Sequence, residues 1–358
     1  MQIKRVDLFP ISLPYKTPFV TSYGTMTHKT AVIVQIETTD SVIGWGEASL
    51  DSFPGYDAET LIGGLHILKD YLIPLILGQS IITPTQVPGL IQAVRGNHFA
   101  KAGLEAAIWD AYARTHGVSL TQLLGSVVGE VPRQRVAVGV AVGIQPNIDA
   151  TLRAAGDYLA AGYTRLKFKI KPGADVEILG EVRRAFPDVM LMADANSAYT
   201  LDDTPHLAQL DDLNLLMIEQ PLAYNDLYEH SLLQARIQTP ICLDESVKSA
   251  HDWQLARHIN AGKILNLKPG RVGGLTEALR IYQIQRDACW VGGMLETGIG
   301  RAMLLALASL PGFVIPGDIS ATDRYFEQDI VDQRFILNTD GTLNVPQGDG
   351  LGVVFQPV

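Results

Sequence analysis

The segment TRLKFK at residues 164–169 begins a series of five short apolar runs that decides the fold of this chain. Each run ends in a charged residue, and the runs are TRLKFK (164–169), MLMAD (190–194), LLMIE (215–219), ICLD (241–244) and ILNLK (264–268). Short apolar runs of this kind are typical of buried parallel strands. Their ends lie 25, 25, 25 and 24 residues apart. This spacing matches one strand, one loop and one helix of a (β/α)8 barrel.

The repeat extends in both directions and predicts an α/β fold with a TIM-type (β/α)8 barrel. RVAVGVAVGI (135–144) is predicted as a first strand, and the spacing continues to Gly293 and Asp318. Eight strands are therefore predicted, near 136–144, 164–170, 189–194, 214–219, 240–244, 263–268, 289–293 and 313–318. The segments between them have the apolar spacing of crossover helices. Active sites of such barrels lie at the carboxyl ends of the strands, where the five charged residues would converge.

The length of 358 residues leaves room for a second, smaller domain beside a barrel of about 250 residues. Strands are predicted near 2–14 and 29–48, joined by a mobile polar and aromatic loop, KTPFVTSYGTMTHKT (16–30). Helices are predicted between 57 and 125. The clearest, HFAKAGLEAAIWDAYARTHG (98–117), has one apolar face and a stop at Gly117. The tail beyond 320 is predicted as a small hairpin that returns to the N-terminal domain.

Composition and charge argue against several functional classes. Hydrophobic residues make up 47% of the chain, and no apolar run approaches the ~20 residues that span a bilayer, so no membrane segment is predicted. The net charge of −10, without a clustered Lys/Arg stripe, argues against a nucleic-acid partner. The N-terminus lacks the pattern of a signal peptide, so a cytoplasmic location is expected. Cys242 and Cys289 lie in apolar runs and are expected to be buried free thiols.

Three of the five charged strand ends are carboxylates: Asp194, Glu219 and Asp244. Three like charges converging in a partly buried site would repel one another strongly unless a cation lies between them. An all-oxygen set of ligands is what Mg²⁺ favours, whereas a zinc site normally includes His or Cys. The alternative is that each is an ordinary loop acid or helix N-cap. The regular register of the three favours a divalent metal site.

Three lysines flank the carboxylates. Lys167 and Lys169 lie two residues apart on one strand, so both side chains face the same side of it, and Lys268 ends the sixth strand. An ammonium group beside a metal and shielded from water can lose its proton near neutral pH and act as a base. A metal that holds a carboxylate and a lysine that takes the adjacent proton together define proton abstraction alpha to a carboxylate. Mg²⁺ and Lys167 would stabilise the enediolate oxygens.

The motifs KFK (167–169), DAN (194–196), EQP (219–221), DES (244–246) and LKPGRVGG (267–274) together resemble the enolase superfamily, and within it the muconate-lactonizing-enzyme subgroup. The resemblance implies acid/base roles for Lys169 and Lys268 and an electrostatic role for Lys167. The ligands that it implies for Mg²⁺, with Mn²⁺ as an alternative, are Asp194, Glu219 and Asp244. It also implies a modified, enolase-like barrel at 126–318, an α+β capping domain at 1–125 and a C-terminal segment at 319–358 that returns to the capping domain.

Four further runs resemble the family that contains o-succinylbenzoate synthases and N-acylamino acid racemases: TPICLDES (239–246), NLKPGRVGG (266–274), GGMLETGIGRA (292–302) and PGDISATDRYF (316–326). The first activity is a Mg²⁺-dependent syn dehydration in menaquinone synthesis. The alternative is racemisation of N-succinylamino acids with both lysines as bases, and the same site permits either or both. A dipeptide epimerase is less favoured, because DIS (318–320) replaces its usual acidic motif. The expected partner is a small carboxylate substrate, and a homo-oligomer is left open.

Specificity is expected to lie in loops of the capping domain and in the loop after the seventh strand. The residues predicted to contact the substrate are Phe19, Tyr23, Met26, Phe53, Tyr56, Asn196, Gly293, Met294 and Glu296. Ordinary packing of the small domain is the alternative for some of them. Glu245 and Arg271 are predicted to support the site from behind. Arg271 resembles an arginine of racemase-competent relatives, with a surface arginine as the alternative, and Ala141 stands where relatives commonly have serine.

Overall fold

The computed structural model describes residues 1–356 and begins with a three-stranded antiparallel sheet. Its strands are β1 (Ile3–Val20), β2 (Thr25–Thr38) and β3 (Ile43–Ala48), with β2 in the middle. The predicted loop at 16–30 is wrong in large part, because β1 and β2 continue as a hairpin to a turn at 21–24. Phe19 pairs with Met26 near that turn, beyond a register shift after Pro14. Threonine and aromatic residues favour this extended backbone.

Five α-helices follow the sheet: α1 (Leu61–Ile67), α2 (Ile73–Ile76), α3 (Val87–Leu90), α4 (His98–Thr115) and α5 (Leu120–Val128). A π-helical turn, Leu68–Leu72, and a 3-10 turn, Pro84–Gln86, lie among them. The single buried face predicted for α4 is wrong, because residues all round this helix are buried. One side of α4 packs on β3 at Gly44 and Gly46, where a Cβ would collide with the helix backbone. The helix therefore fills the space between the sheet and the barrel.

The barrel is a curled parallel sheet of seven strands in the order β11-β10-β9-β8-β7-β6-β5. Its strands are β5 (Val140–Val142), β6 (Arg165–Lys169), β7 (Met190–Asp194), β8 (Ile218–Glu219), β9 (Ile241–Leu243), β10 (Ile264–Leu267) and β11 (Cys289–Val291), after a short β4 (Arg135–Ala137). The strands are short apolar runs because both faces of a barrel sheet are covered. Met192, Met217, Cys242 and Trp290 fill the barrel interior beneath the charged strand ends.

Helices follow the strands of the barrel: α6 (Ile148–Ala160), α7 (Val176–Ala185), α8 (Thr204–Leu207), α9 (Tyr228–Gln234), α10 (Ala250–His258), α11 (Pro269–Val272), α12 (Leu275–Ile284) and, after the last strand, α13 (Gly298–Ala308). Short 3-10 segments, Leu201–Asp203, Ala208–Leu213 and Arg286–Ala288, extend some of these connections. The alternation of strand and helix predicted from the 25-residue spacing is confirmed. Cys242 and Cys289 are buried free thiols, as predicted.

The eighth strand predicted at 313–318 is wrong, because this segment makes only isolated backbone contacts. The Gly139 amide donates to the Gly317 carbonyl at 2.8 Å, and the Gly317 amide donates to the Ala137 carbonyl at 3.1 Å. On the other side, the Asp318 amide donates to the Val291 carbonyl at 2.9 Å. These contacts connect the two ends of the barrel sheet, namely the chain at the start of β5 and the end of β11. Pro316 has no amide hydrogen and Gly317 weakens extended structure, so a regular strand does not form here.

The C-terminal part adds α14 (Thr322–Tyr325) and β12 (Thr342–Asn344). The hairpin predicted for the tail is wrong, because β12 pairs antiparallel with β4. Phe355 packs against Trp45 of the N-terminal sheet, with ring centroids 4.5 Å apart. The division into 1–125, 126–318 and 319–358 stays a prediction. Within residues 1–356, none of the helices is long and apolar enough to span a membrane.

Candidate active site

The carboxyl ends of β6 to β10 bring the five charged residues together at one edge of the barrel. Parallel pairing places Lys169 beside Asp194 and Asp194 beside Glu219 in register. Asp244 directly follows β9, and Lys268 directly follows β10. The most exposed of the five side chains, that of Lys169, is only 10% exposed. Buried charges of this kind require partners, which argues against ordinary solvated loop acids.

Lys167 and Lys169 are paired with the first two carboxylates. Lys169 Nζ donates to Asp194 Oδ2 at 2.7 Å and to Asn196 Oδ1 at 2.6 Å. Lys167 Nζ lies 3.0 Å from Asp194 Oδ2, 2.9 Å from Glu219 Oε2 and 2.6 Å from Asp318 Oδ2. Burial lowers the pKa of Lys167, but these carboxylates, Asp318 first, outweigh it and hold the pKa well above the ordinary value. Lys167 is therefore a fixed cation in this structure.

Lys268 is held by a second group of residues that includes a tyrosine of the N-terminal domain. Its Nζ donates to Asp244 Oδ2 at 2.8 Å and to the Tyr56 hydroxyl at 3.0 Å. The Tyr56 hydroxyl in turn donates to Asp244 Oδ1 at 2.8 Å. Arg271 is wholly buried, so the surface alternative for it is wrong, and its Nη1 donates to the same Asp244 oxygen. Arg271 Nε also donates to the Val247 carbonyl at 2.8 Å, which fixes the guanidinium behind Lys268.

The pKa shifts of the carboxylates show an excess of negative charge at the centre of the site. Burial and repulsion from Asp194 and Asp244 raise the pKa of Glu219 to about 8. Burial also acts on Asp194, but Lys169 and Lys167 outweigh it and lower its pKa. For Asp244, Lys268 and Arg271 outweigh burial in the same way. The lysines thus compensate two carboxylates, while Glu219 remains undercompensated.

This donor set fits a hard divalent cation. The three carboxylates supply only oxygen ligands, and the charge on Glu219 requires a further cation for full ionisation. The buried atoms Glu245 Oε2 and Asn266 Oδ1 nearby have no hydrogen-bond partner in the described part of the chain. Among residues 1–356, no three His, Cys, Asp or Glu side chains are arranged as a ready metal cluster. In this structure each of the three carboxylates contacts a lysine instead.

Deprotonation of a lysine beside a bound metal stays a prediction, and the charges around Lys268 show what it depends on. Burial lowers the pKa of Lys268, but Asp244 and Glu219 outweigh it and raise the pKa above its ordinary value. The carboxylate charge that stabilises the ammonium is the same charge that a bound cation would neutralise. The protonation state of Lys268 is therefore linked to occupation of the carboxylates.

A layer of polar residues behind the strand ends fixes the geometry. Asn196 has a positive φ of 42°, and its Nδ2 donates to Glu245 Oε1 at 3.0 Å. Gln220, also with positive φ, accepts from the Asp244 amide at 2.8 Å through Oε1 and so joins the ends of β8 and β9. Asn266 Nδ2 donates to Glu219 Oε1 at 2.7 Å. Strained backbone held by hydrogen bonds in this way is typical of pre-organised sites.

A pocket with about 550 Å³ of empty space, open to solvent, lies above the strand ends. It lies between the β1–β2 hairpin, the segment after β3 and the barrel. The residues predicted from the sequence that line it are Phe19, Tyr23, Met26, Tyr56, Lys167, Lys169, Asn196, Lys268, Gly293 and Met294. Ala141 lines it as well, so the position at which relatives commonly have serine lies in the pocket wall. The two groups of loops named in the sequence therefore meet over the charged strand ends.

Two predicted contact residues lie outside this pocket. The Phe53 side chain is 67% exposed and lines a neighbouring cavity. Glu296 is buried, and its Oε2 accepts from the Met294 amide at 2.8 Å, so it holds the loop after β11 from behind. Lys29 reaches the same loop and donates to the Met294 carbonyl at 2.9 Å. These buried contacts connect the N-terminal sheet to the pocket wall.

Besides Ala141, five pocket residues were not predicted as site residues: Tyr15, Asp51, Leu295, Asp318 and Tyr325. Asp318 could have been found, because it continues the 25-residue spacing of charged strand ends. Its Oδ1 lies 2.6 Å from Arg165 Nη2, within ion-pair distance. Arg165 and Lys167 outweigh burial and lower the pKa of Asp318 to about 2. Asp51 and Tyr15 reach the pocket from another domain, and nothing in their sequence context signals this.

Comparison with known proteins agrees with the motifs and the fold. Residues 150–357 match the family described as Enolase C-terminal domain-like, and residues 5–125 match the family described as Mandelate racemase / muconate lactonizing enzyme, N-terminal domain. The chain is a member of the enolase superfamily. Enzymes of this superfamily generally use a divalent metal.

Several similar members of the enolase superfamily have names that describe an activity. An o-succinylbenzoate synthase of Geobacillus kaustophilus is 44% identical over 98% of this chain and 93% of its own length. An N-succinylamino acid racemase of Thermus thermophilus is 44% identical over 99% of this chain and 95% of its own length. Among solved structures, an enolase-superfamily protein of Listeria innocua is 39% identical and has a TM-score of 0.94, with coverage of 99% of this chain and 95% of that one.

Proposed function

We propose that this enolase-superfamily enzyme is a Mg²⁺-dependent o-succinylbenzoate synthase. The observation that carries the proposal is the pair of largely buried lysines, Lys169 and Lys268, that line one pocket from strands separated by β7, β8 and β9. The full-length similarity to o-succinylbenzoate synthases at 44–45% identity supports this choice among the reactions of the superfamily. The proposed location in the cytoplasm and any homo-oligomer stay predictions.

In the proposed reaction, Lys169 takes the proton alpha to the substrate carboxylate. The C–H electron pair moves into the carboxylate to give an enediolate, and its return forms the new carbon–carbon double bond as the C–O bond to the adjacent hydroxyl breaks. In a syn elimination both groups leave from one face, so the protonated Lys169 can pass its proton to the departing hydroxide, which leaves as water. Lys268 remains an ammonium on the opposite face, where Asp244 and Tyr56 hold it. Its charge stabilises the enediolate that forms when the proton leaves.

Asp194, Glu219 and Asp244 are the proposed ligands of Mg²⁺. The ion would supply positive charge beside the substrate carboxylate and so favour charge build-up on its oxygens. Lys167 adds a second cation on that side, since Asp318 and Glu219 hold its ammonium in place. Mn²⁺ prefers similar oxygen ligands and is proposed as a substitute.

Racemisation of N-succinylamino acids is the second candidate activity. It is favoured by the symmetric placement of the lysines, because a proton taken by one lysine can be replaced from the other face by the second. Arg271 supports this candidate, since it contacts Asp244 and the Tyr56 hydroxyl and thereby sets the charge around Lys268. A dipeptide epimerase is less favoured, because DIS at 318–320 gives only one carboxylate, Asp318, which Lys167 and Arg165 already occupy.

Purified enzyme with Mg²⁺ should be assayed on the hydroxycyclohexadiene carboxylate precursor of o-succinylbenzoate and on both enantiomers of an N-succinylamino acid. Dehydration is expected, and fast racemisation without dehydration would overturn the primary assignment. Lys169→Ala should abolish dehydration. In deuterated water, Lys169→Ala and Lys268→Ala should each retain exchange of the alpha proton in opposite enantiomers. Near-normal turnover in either variant would refute the two-lysine mechanism.

A further inference from the structure

A second cavity lies beside the substrate pocket, between the β1–β2 hairpin and the segment that follows β3. It provides about 950 Å³ of empty space open to solvent, and we refer to it as the outer chamber. Tyr23, Met26 and Asp51 line both cavities, so these three residues form the junction between them. A substituent of a bound substrate that is too long for the substrate pocket would pass this junction.

The outer chamber has a simple charge distribution. Among the described residues that line it, Asp51 is the only Asp, Glu, Lys or Arg. His28 also lies there, with its Nδ1 3.0 Å from Thr27 Oγ1. The other lining residues are mainly hydroxyl-bearing or aromatic. The field inside the chamber is therefore dominated by one carboxylate at its inner end.

Asp51 is held in position but not neutralised. The Asp51 carbonyl accepts from the Leu61 amide at 2.9 Å, and the preceding carbonyl accepts from Thr30 Oγ1 at 2.8 Å, so the backbone is fixed on both sides. Burial raises the pKa of the carboxyl, and Lys29 and Lys268 act against this only from a distance. Both lysines have closer partners: Lys29 donates to the Met294 carbonyl, and Lys268 donates to Asp244.

A partly buried carboxylate that has no hydrogen-bond or ion-pair partner among residues 1–356 favours a ligand that brings a cation. It disfavours a second carboxylate, because like charges repel one another in a partly buried site. A succinyl group ends in a carboxylate, so it is the less suitable group at this junction. In an N-succinylamino acid the remaining long substituent on the reacting carbon is the amino-acid side chain. The amino-acid side chain is thus better suited than the succinyl carboxylate to the position beside Asp51 and the outer chamber.

We propose that Asp51 selects N-succinylamino acids whose side chain ends in a cation, such as the ammonium of lysine or the guanidinium of arginine. The proposal rests on the racemase candidate above and narrows its substrate class. It gives Asp51 a role in specificity only, because the lysines that move the proton lie deeper in the pocket.

The test compares binding of N-succinyl-L-lysine and N-succinyl-L-norleucine by calorimetry in the presence of Mg²⁺. Norleucine offers an apolar chain of similar length without the ammonium. The lysine derivative should bind about tenfold more tightly, as expected for one hydrogen-bonded charge pair. Asp51→Asn should reduce this ratio to about one, and Asp51→Lys should favour N-succinyl-L-glutamate instead. Asp57→Asn is the matched control, because Asp57 lies on the same segment, pairs with Lys248 at 2.6 Å and lines neither cavity.

Equal affinity for the two ligands, a ratio that survives in both Asp51 variants, or no binding of either ligand would overturn the proposal. Loss of the ratio in Asp57→Asn as well would also overturn it, because the effect would then not be specific to Asp51. The readout does not depend on turnover. Tight, charge-selective binding without racemisation would refute the racemase activity and leave the role of Asp51 intact.

Discussion

Replacement of Tyr56 by phenylalanine should impair one of the two lysines selectively. The Tyr56 side chain is 8% exposed, and its hydroxyl accepts from Lys268 at 3.0 Å and donates to Asp244 at 2.8 Å. The Lys268 ammonium also lies 4.3 Å from the centroid of the Tyr56 ring. Tyr56→Phe keeps the ring and its packing against Phe99 but removes both hydrogen bonds. The ammonium then loses the contact that fixes its orientation toward the pocket.

The expected loss of rate in Tyr56→Phe follows from the charges of Lys268 and Asp244, the hydrogen-bond partners of the Tyr56 hydroxyl. A hydrogen bond to a charged group contributes about 1.5–3 kcal/mol, and about 1.4 kcal/mol changes a rate tenfold, so a loss of roughly 10- to 150-fold is expected. It should apply to steps in which Lys268 moves the proton. Lys169 has its own partners, Asp194 and Asn196, and should be unaffected.

The assay follows exchange of the alpha proton of each enantiomer of N-succinylnorleucine in deuterated water by proton NMR. Exchange should fall by the stated factor for the enantiomer whose proton faces Lys268 and change less than threefold for the other. Tyr23→Phe is the control, because Tyr23 lines the same pocket and neither lysine donates to it in the described structure. An equal loss for both enantiomers, or no loss for either, would show that Tyr56 does not act through Lys268.

Two further outcomes are expected, one from the carboxylates at the strand ends and one from Glu105, a buried carboxyl on α4. At about 100 times its Kd, Mg²⁺ should stabilise the protein by about 2.7 kcal/mol and raise Tm by about 5 °C in a thermal melt, and Glu219→Gln should abolish most of this shift. Glu105, wholly buried on α4, has a pKa raised by burial from 4.5 to about 7. The native state thus retains a proton that the unfolded chain has lost, so this stabilisation is complete below about pH 4.5 and disappears as pH rises through 7. Urea unfolding at pH 5 and pH 8 should show a loss of at most about 3 kcal/mol from this group, absent in Glu105→Gln; an identical pH dependence in the variant would refute this account.

The sequence contained the barrel and the order of charges along its strands, because both depend on local apolar runs at a fixed spacing. The predicted positions of Lys169, Asp194, Glu219, Asp244 and Lys268 are next to one another in the structure for this reason. The metal-ligand roles of the three carboxylates and the acid/base roles of the two lysines stay predictions. The eighth strand was not predictable from spacing alone, since the backbone chemistry of one proline–glycine pair overrides the period.

Contacts between distant parts of the chain were not visible in the sequence. Tyr56 was predicted to contact the substrate, yet its hydroxyl bonds to Asp244, 188 residues away, and to Lys268, 212 residues away. Asp51 was missed for the same reason, since its importance depends on a junction between cavities that only the folded chain creates. Phe53 lies on the same segment and was predicted to line the pocket, but it points into the neighbouring cavity. A cluster of aromatic residues in the sequence indicates a loop that can cover a site. It does not show which of the side chains faces inward.

The isolated backbone contacts at 317–318 are the place where the barrel closes without a regular strand, and we refer to this junction as the seam. Elsewhere in the ring, neighbouring strands are joined by ladders of paired residues. Here single hydrogen bonds through Gly317 and Asp318 connect the chain at the start of β5 to the end of β11. Asp318 lies on this seam and also holds Lys167 at 2.6 Å. Opening of the ring at its weakest point would therefore release a cation of the active site, so integrity of the barrel and order of the reacting groups are set by the same few atoms.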